Sequence, residues 1–250
     1  MKVFAAELIK LKRSLSWGVA VLLPIIMVAS GSIITLIDGR ALEDGWHTLW
    51  MRSIVFYGLF PLSVGIAILA SLVWRTEHRG SNWNALMAGP TSSLRIVLAK
   101  AGVVAVLAAI MQIIATASTV VLGKLVFGLP GFLPPQYLAV SVTIVIASIP
   151  VAVLQSWLSM QMRSFAAPVA VAFLGAGFST FLLVVGIDPA IFVSPYATVS
   201  RAAQLGTGNF ADTGEITAAV LAIITAASLV LSAVLTAANT LVLERTDAHT

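Results

Sequence analysis

The 250-residue chain has no cysteine, only three histidines and only 10 % charged residues, against 59 % apolar ones. Without cysteine there is no disulfide framework, no thiolate metal site and no cysteine nucleophile. A soluble domain carries roughly 25 % charged residues, so a water-soluble enzyme of ordinary construction is excluded, and high hydrophobicity excludes disorder. His47, His78 and His249 fall on different loops, without HExxH or metal-ligand spacing. Gly-x-Ser-x-Gly is missing, and pieces such as Gly128-Leu-Pro-Gly131 lack the Lys-Ser/Thr of a phosphate loop. The chain therefore has no Walker motif with which to bind ATP.

What is present is a succession of long apolar runs. In hydrocarbon every backbone N–H and C=O needs an internal partner, so an apolar run of about 20 residues is read as a spanning helix. Six such runs occur, at 17–37, 53–74, 101–123, 137–162, 164–187 and 216–243. Only a few residues around Arg163 separate the fourth and fifth, which predicts a tight antiparallel hairpin. The expected fold is all-α and polytopic, a single permease-sized membrane domain over 1–250 with six transmembrane helices. The start resembles a signal peptide, but the apolar stretch continues through Ile37 and is read as a permanent span.

Lys and Arg set the expected orientation. Ten cations lie on the side of the N-terminus and four (Arg40, Arg52, Lys124 and Arg201) on the other. Both termini are expected in the cytoplasm, in a multi-pass protein of the cell's inner or plasma membrane. The net charge of +4 then reports orientation, and no aromatic-interleaved groove accompanies it to suggest nucleic acid.

Three segments outside the spans carry information. In 2–15, Phe4, Leu8, Leu11 and Leu15 share one helical face while Glu7, Lys10 and Arg13 lie towards the other, predicting a basic amphipathic interfacial helix. The loop 75–90 is the longest connection on the cytoplasmic side and the most polar; Ser81 starts a short expected helix bearing Trp83, Leu86 and Met87. It reads equally as a docking knob for a soluble partner or as an interfacial loop anchored by Trp83. The outer segment 188–215 is expected to dip into the membrane or to lie along it, and Trp46, His47 and Trp50 in the outer loop 38–52 are placed at the interface. Within the spans, Gln112, Gln155 and Asn239 are the larger polar groups: pathway residues, or interhelical hydrogen bonds.

The start Glu7-Leu-Ile-Lys10-Leu-Lys-Arg-Ser14, the stretch from Trp74-Arg-Thr-Glu77 through Trp83 to Gly89-Pro90, and Lys100 on the next helix resemble the ABC-2 type permeases. The similarity is strongest to the branch of lantibiotic or bacteriocin immunity and multidrug export. The resemblance implies a membrane subunit paired with a second permease, identical or different, and with two copies of a separate ATPase that binds ATP and magnesium. This chain itself would hold no cofactor, catalyse no reaction and contact lipid but no nucleic acid. It would export a peptide antibiotic, a drug or another amphipathic compound; the competing reading is a non-transporting anchor or sensor. Glu77, Arg79, Trp83 and Leu86 would couple to the ATPase, with Glu7, Lys10 and Arg13 on the helix beside them.

Overall fold

The computed structural model describes residues 2–11, 14–37, 42–78, 91–208, 212, 214 and 216–247. Every regular element among them is helical: α1 (Lys2–Lys10), α2 (Ser16–Ile37), α3 (Gly45–Leu59), α4 (Pro61–Arg75), α5 (Ser93–Leu125), α6 (Pro135–Gln161), α7 (Ala166–Val184), a 3₁₀ turn (Asp188–Phe192), α8 (Pro195–Gln204) and α9 (Ala218–Asp247). Five are long and apolar enough to cross a bilayer, and α3 with α4 make a sixth crossing if the bent pair counts as one. The chain is a polytopic all-helical protein.

α6 is the central post, packed on α4, α5, α8 and α9. Its inner face of Val140, Ile144, Ala147 and Val151 is fully buried, a helical repeat of three and four residues. The periphery is apolar too. Phe173, Leu174, Phe178 and Phe181 on α7 and Leu229, Val230 and Val234 on α9 are exposed, a surface that hydrocarbon solvates and water does not.

Two expectations change. The run at 53–74 is not one straight helix: α3 begins at Gly45, inside the expected outer loop, and α3 and α4 meet at a bend of 48° at Phe60. Pro61 lacks the N–H that would continue α3 and takes the first position of α4, where no donor is needed. Trp46 and Trp50 do not sit in an interfacial belt. Both are buried, Trp46 Nε1 donates to the Pro130 carbonyl at 2.7 Å, and Trp50 stacks on Tyr137 at 5.2 Å. His47 Nδ1 bonds the Tyr137 hydroxyl at 2.6 Å, so this aromatic group fastens α3 to the α5–α6 connection.

The segment 188–215, expected to dip into the membrane or to lie along it, contains α8, whose ten residues are all buried among α3, α6 and α7. Arg201 on α8 is buried and pairs with Asp188. Asp212 accepts backbone N–H bonds from Gly206, Gly208 and Gly214.

Candidate functional site

α1 and α4 converge with α5 at one end of the bundle, and the convergence is ionic. α4 stops at Arg75, and Thr76 and Glu77 turn away from it, the Glu77 N–H donating to the Trp74 carbonyl at 3.0 Å. α5 begins at Ser93, so Lys100 stands two turns into it. Lys100 is 1 % exposed, and its Nζ lies 2.7 Å from Glu7 Oε2 and 2.7 Å from Glu77 Oε1. Lys10 Nζ closes the ring, 2.7 Å from Glu7 Oε1 and 2.8 Å from Glu77 Oε1. Two cations and two carboxylates alternate, so the ring is neutral as a whole.

The surroundings complete it. Lys100 Nζ also reaches the Val73 carbonyl and sits 5.1 Å above the Trp74 ring, a cation–π placement. Trp74 Nε1 donates to Ser156 Oγ at 2.9 Å and His78 Nε2 to the Ser159 carbonyl at 2.7 Å, tying the end of α4 to the end of α6. Removing charges from water is costly, and only such dense mutual pairing offsets it.

This ring corrects the reading of α1. Its inward face is Phe4, Glu7 and Leu11, while Leu8 and Leu15 are exposed. Glu7 turns inward because Lys100 and Lys10 neutralise it there. Leu8, Ile9 and Leu15 are left as the outward apolar side of this segment.

Burial alone would raise the Glu77 pKa, but hydrogen bonds from Lys10 and Lys100 and their charges hold it below its ordinary value. For Lys10 burial works the other way, and the bonds and charges of Glu7 and Glu77 raise its pKa above the ordinary value. A depressed carboxylate stabilises the folded state above its unfolded pKa and loses that contribution as pH falls through the folded one. A raised amine stabilises below its unfolded pKa and loses that contribution as pH rises through the folded one. The junction is thus complete between the ordinary carboxylate and lysine ranges. Acidification from pH 7 is expected to lower the melting temperature, and Glu77→Gln to flatten part of that acid limb. Parallel melts of both proteins over falling pH check this; identical acid slopes would show that Glu77 does not titrate in the junction.

Of the other expected residues, Arg13, Arg79, Trp83 and Leu86 lie outside the described residues. Gln112, Gln155 and Asn239 are all buried but are not gathered at one place. Gln112 Nε2 donates to Ser141 Oγ at 3.3 Å, Gln155 Nε2 to the Tyr196 hydroxyl at 2.5 Å, and Asn239 Nδ2 to the Val153 carbonyl at 3.4 Å. From Ser141 to Gln155 along α6 is roughly 20 Å at the helical rise per residue. Each has a side-chain oxygen without a partner, which leaves each an acceptor to offer.

Sequence reading treated Lys100 as a flank of the third span and missed that it joins Glu7 to Glu77. The available signal was its place: a lone lysine followed by an uninterrupted apolar run, seven residues after the start of its helix. Among the described residues no group of His, Cys, Asp and Glu is arranged to hold a metal ion.

A family model described as ABC-2 family transporter protein matches residues 3–179, which include the whole ring. No curated protein and no solved structure matches the chain.

Proposed function

The chain belongs to the ABC-2 transporter family, a permease subunit and multi-pass membrane protein, and on that premise we propose that residues 75–90 carry the contact with its ATPase. Membership implies an ABC ATPase as partner and a transport role instead of catalysis. The observation that supports the coupling reading is the ion ring. Glu77 lies at the start of this segment, Lys100 on the helix that follows it, and Glu7 and Lys10 on the N-terminal helix. A force applied to residues 79–90 from outside the membrane is delivered through the ring to α4, α5 and α1 together.

In this reading both termini and residues 75–90 face the cytoplasm, in the inner or plasma membrane, as the Lys/Arg asymmetry favours. Two ATPase copies and a second permease, identical or different, complete the transporter. Arg79, Trp83 and Leu86 make the docking contact, and Glu77 relays it. Nucleotide-driven closure of the ATPases shifts the helices between two arrangements because the contact differs between them. The exported compound is an amphipathic peptide antibiotic or drug, a class suited to the apolar interior with its few separated amides, Gln112, Gln155 and Asn239. Residues 188–215 form the outer re-entrant part.

Purification from the native membrane in mild detergent tests the assignment. A soluble subunit bearing a Walker motif is expected to co-elute stoichiometrically, and Trp83→Ala with Leu86→Ala to reduce its recovery about tenfold, the loss expected when a buried aromatic anchor is truncated. ATPase recovery undiminished by the double substitution, with the protein still inserted, would overturn the docking role. Recovery of a complex whose ATP hydrolysis never responds to any amphipathic compound would favour the anchor reading.

A further inference from the structure

The geometry points to a binding site for one anionic phospholipid beside the ion ring, held by Arg75 and Arg163. A cavity of about 610 Å³ opens between the start of α2, the end of α4 and the turn joining α6 to α7. That volume falls within the roughly 300–1,000 Å³ typical of built ligand sites. Val19, Ile68, Leu72 and Phe165 make its walls apolar, and the two arginines contribute the charge. Both arginines are exposed, and neither forms an ion pair among the described residues.

The electrostatics single out an anion. A second hollow of about 260 Å³ shares Leu15, Leu72 and Arg75 with the first and is lined by Glu7 and Lys10. The carboxylates nearby, Glu7 and Glu77, are already neutralised by Lys10 and Lys100. Among the described residues the field at the mouth is therefore that of Arg75 and Arg163. His78, which also lines the cavity, is engaged with the Ser159 carbonyl.

The apolar walls single out a lipid over a free phosphate. A phosphate ion would leave Val19, Ile68, Leu72 and Phe165 wet, whereas an acyl chain covers them at about 25 cal/mol per Å². Leu15 and Phe165 at the edge are exposed large apolar side chains, so the cavity runs on into the lipid-facing surface. Arg75 closes an apolar helix and Arg163 lies between two of them, at the level where guanidinium groups snorkel to phosphates. A guanidinium binds a phosphate through two parallel hydrogen bonds, and the lipid's net negative charge adds to that attraction. The bound headgroup lies against Arg75, two residues from Glu77 of the ion ring.

The test is native mass spectrometry of the full chain released from nanodiscs of equal phosphatidylglycerol and phosphatidylcholine. The wild-type protein is expected to retain one phosphatidylglycerol in preference to phosphatidylcholine. Arg75→Gln with Arg163→Gln should cut that preference about thirtyfold, the scale of two cations beside an anionic headgroup, and Arg95→Gln should leave it unchanged. Leu72→Trp, which fills the cavity while keeping both arginines, should remove the retained lipid. The proposal is overturned if the wild type retains both lipids equally, if the arginine variant keeps the preference, or if Leu72→Trp retains the lipid. Displacement by millimolar inorganic phosphate, with no lipid preference, would show a phosphate site and also overturn it. Should the arginine variant not fold, the wild-type preference and Leu72→Trp decide the matter. No ATPase enters the readout, so its failure is separate from any failure of the coupling assignment.

Discussion

Lys100→Met is expected to destabilise the protein by about 3–5 kcal/mol, the penalty for leaving a buried charge without its partner. Methionine keeps the length of the side chain and much of its packing against Trp74, so the loss isolates the charge. Glu7 and Glu77 would then face each other with Lys10 as their sole lysine partner among the described residues, and Lys10 is itself 43 % exposed. Removing one of the stranded carboxylates as well should help: Lys100→Met with Glu7→Leu leaves the Lys10–Glu77 pair neutral and should recover a large part of the loss. Arg95→Gln on the same helix replaces an exposed cation and should stay within about 0.5 kcal/mol of wild type. Unfolding in a single detergent, followed by tryptophan fluorescence, measures these three and Glu7→Leu alone. A double variant that is worse than Lys100→Met by the full effect of Glu7→Leu alone would show that the four charges act independently. The idea of a ring moving as one body would then fail.

The ring also shows what the sequence conceals. The all-helical, polytopic fold followed from hydropathy, because a bilayer demands internally bonded helices and leaves few alternatives. The charges at the ends of the spans were legible only as topological signals, since each of Lys10, Glu77 and Lys100 looks like an ordinary flank when taken alone. Their pairing crosses 67 residues in the bond from Lys10 to Glu77 and more in the pair of Glu7 with Lys100, separations at which one chain carries no pairing information. Phe4, Leu8, Leu11 and Leu15 have helical spacing, but so do Phe4, Glu7 and Leu11, and only tertiary partners select the second set. Proline was equally ambiguous. Pro24 and Pro150 lie inside α2 and α6, which continue through them, whereas Pro61 stands at the 48° bend. α8 was the hardest to foresee. Pro195-Tyr-Ala-Thr-Val-Ser-Arg-Ala-Ala-Gln204 has an arginine and several hydroxyls and looks like an outer loop. It is buried because Asp188 accepts from Arg201, Ser200 Oγ bonds Thr180 Oγ1 at 3.0 Å and Tyr196 bonds Gln155.

The burial of α8 leads to the second large effect, at Gly58. A Cβ on Gly58 would lie 2.1 Å from Ala203 Cβ, far inside the separation two carbon atoms tolerate. α3 and α8 approach so closely that one of the two facing positions must lack a side chain, the small-residue contact that brings membrane helices together. The neighbouring packing leaves little give, since Tyr57 on α3 and Ala202 on α8 are both fully buried. Gly58→Ala is therefore expected to destabilise by about 1–3 kcal/mol, as overpacking of a filled interior does, despite alanine's better helix propensity. The counter-substitution is specific: Ala203→Gly removes the atom in the way, so Gly58→Ala with Ala203→Gly should return most of the lost stability. Gly31→Ala makes an informative contrast, because its Cβ would meet the Arg52 carbonyl oxygen at 2.2 Å. That obstacle is backbone, and no side-chain truncation at Arg52 can relieve it. Melting temperatures of the four proteins against wild type decide between a real α3–α8 contact and a chance placement. If Ala203→Gly fails to rescue Gly58→Ala, α8 is not seated against α3, and the buried place assigned to residues 195–204 falls with it.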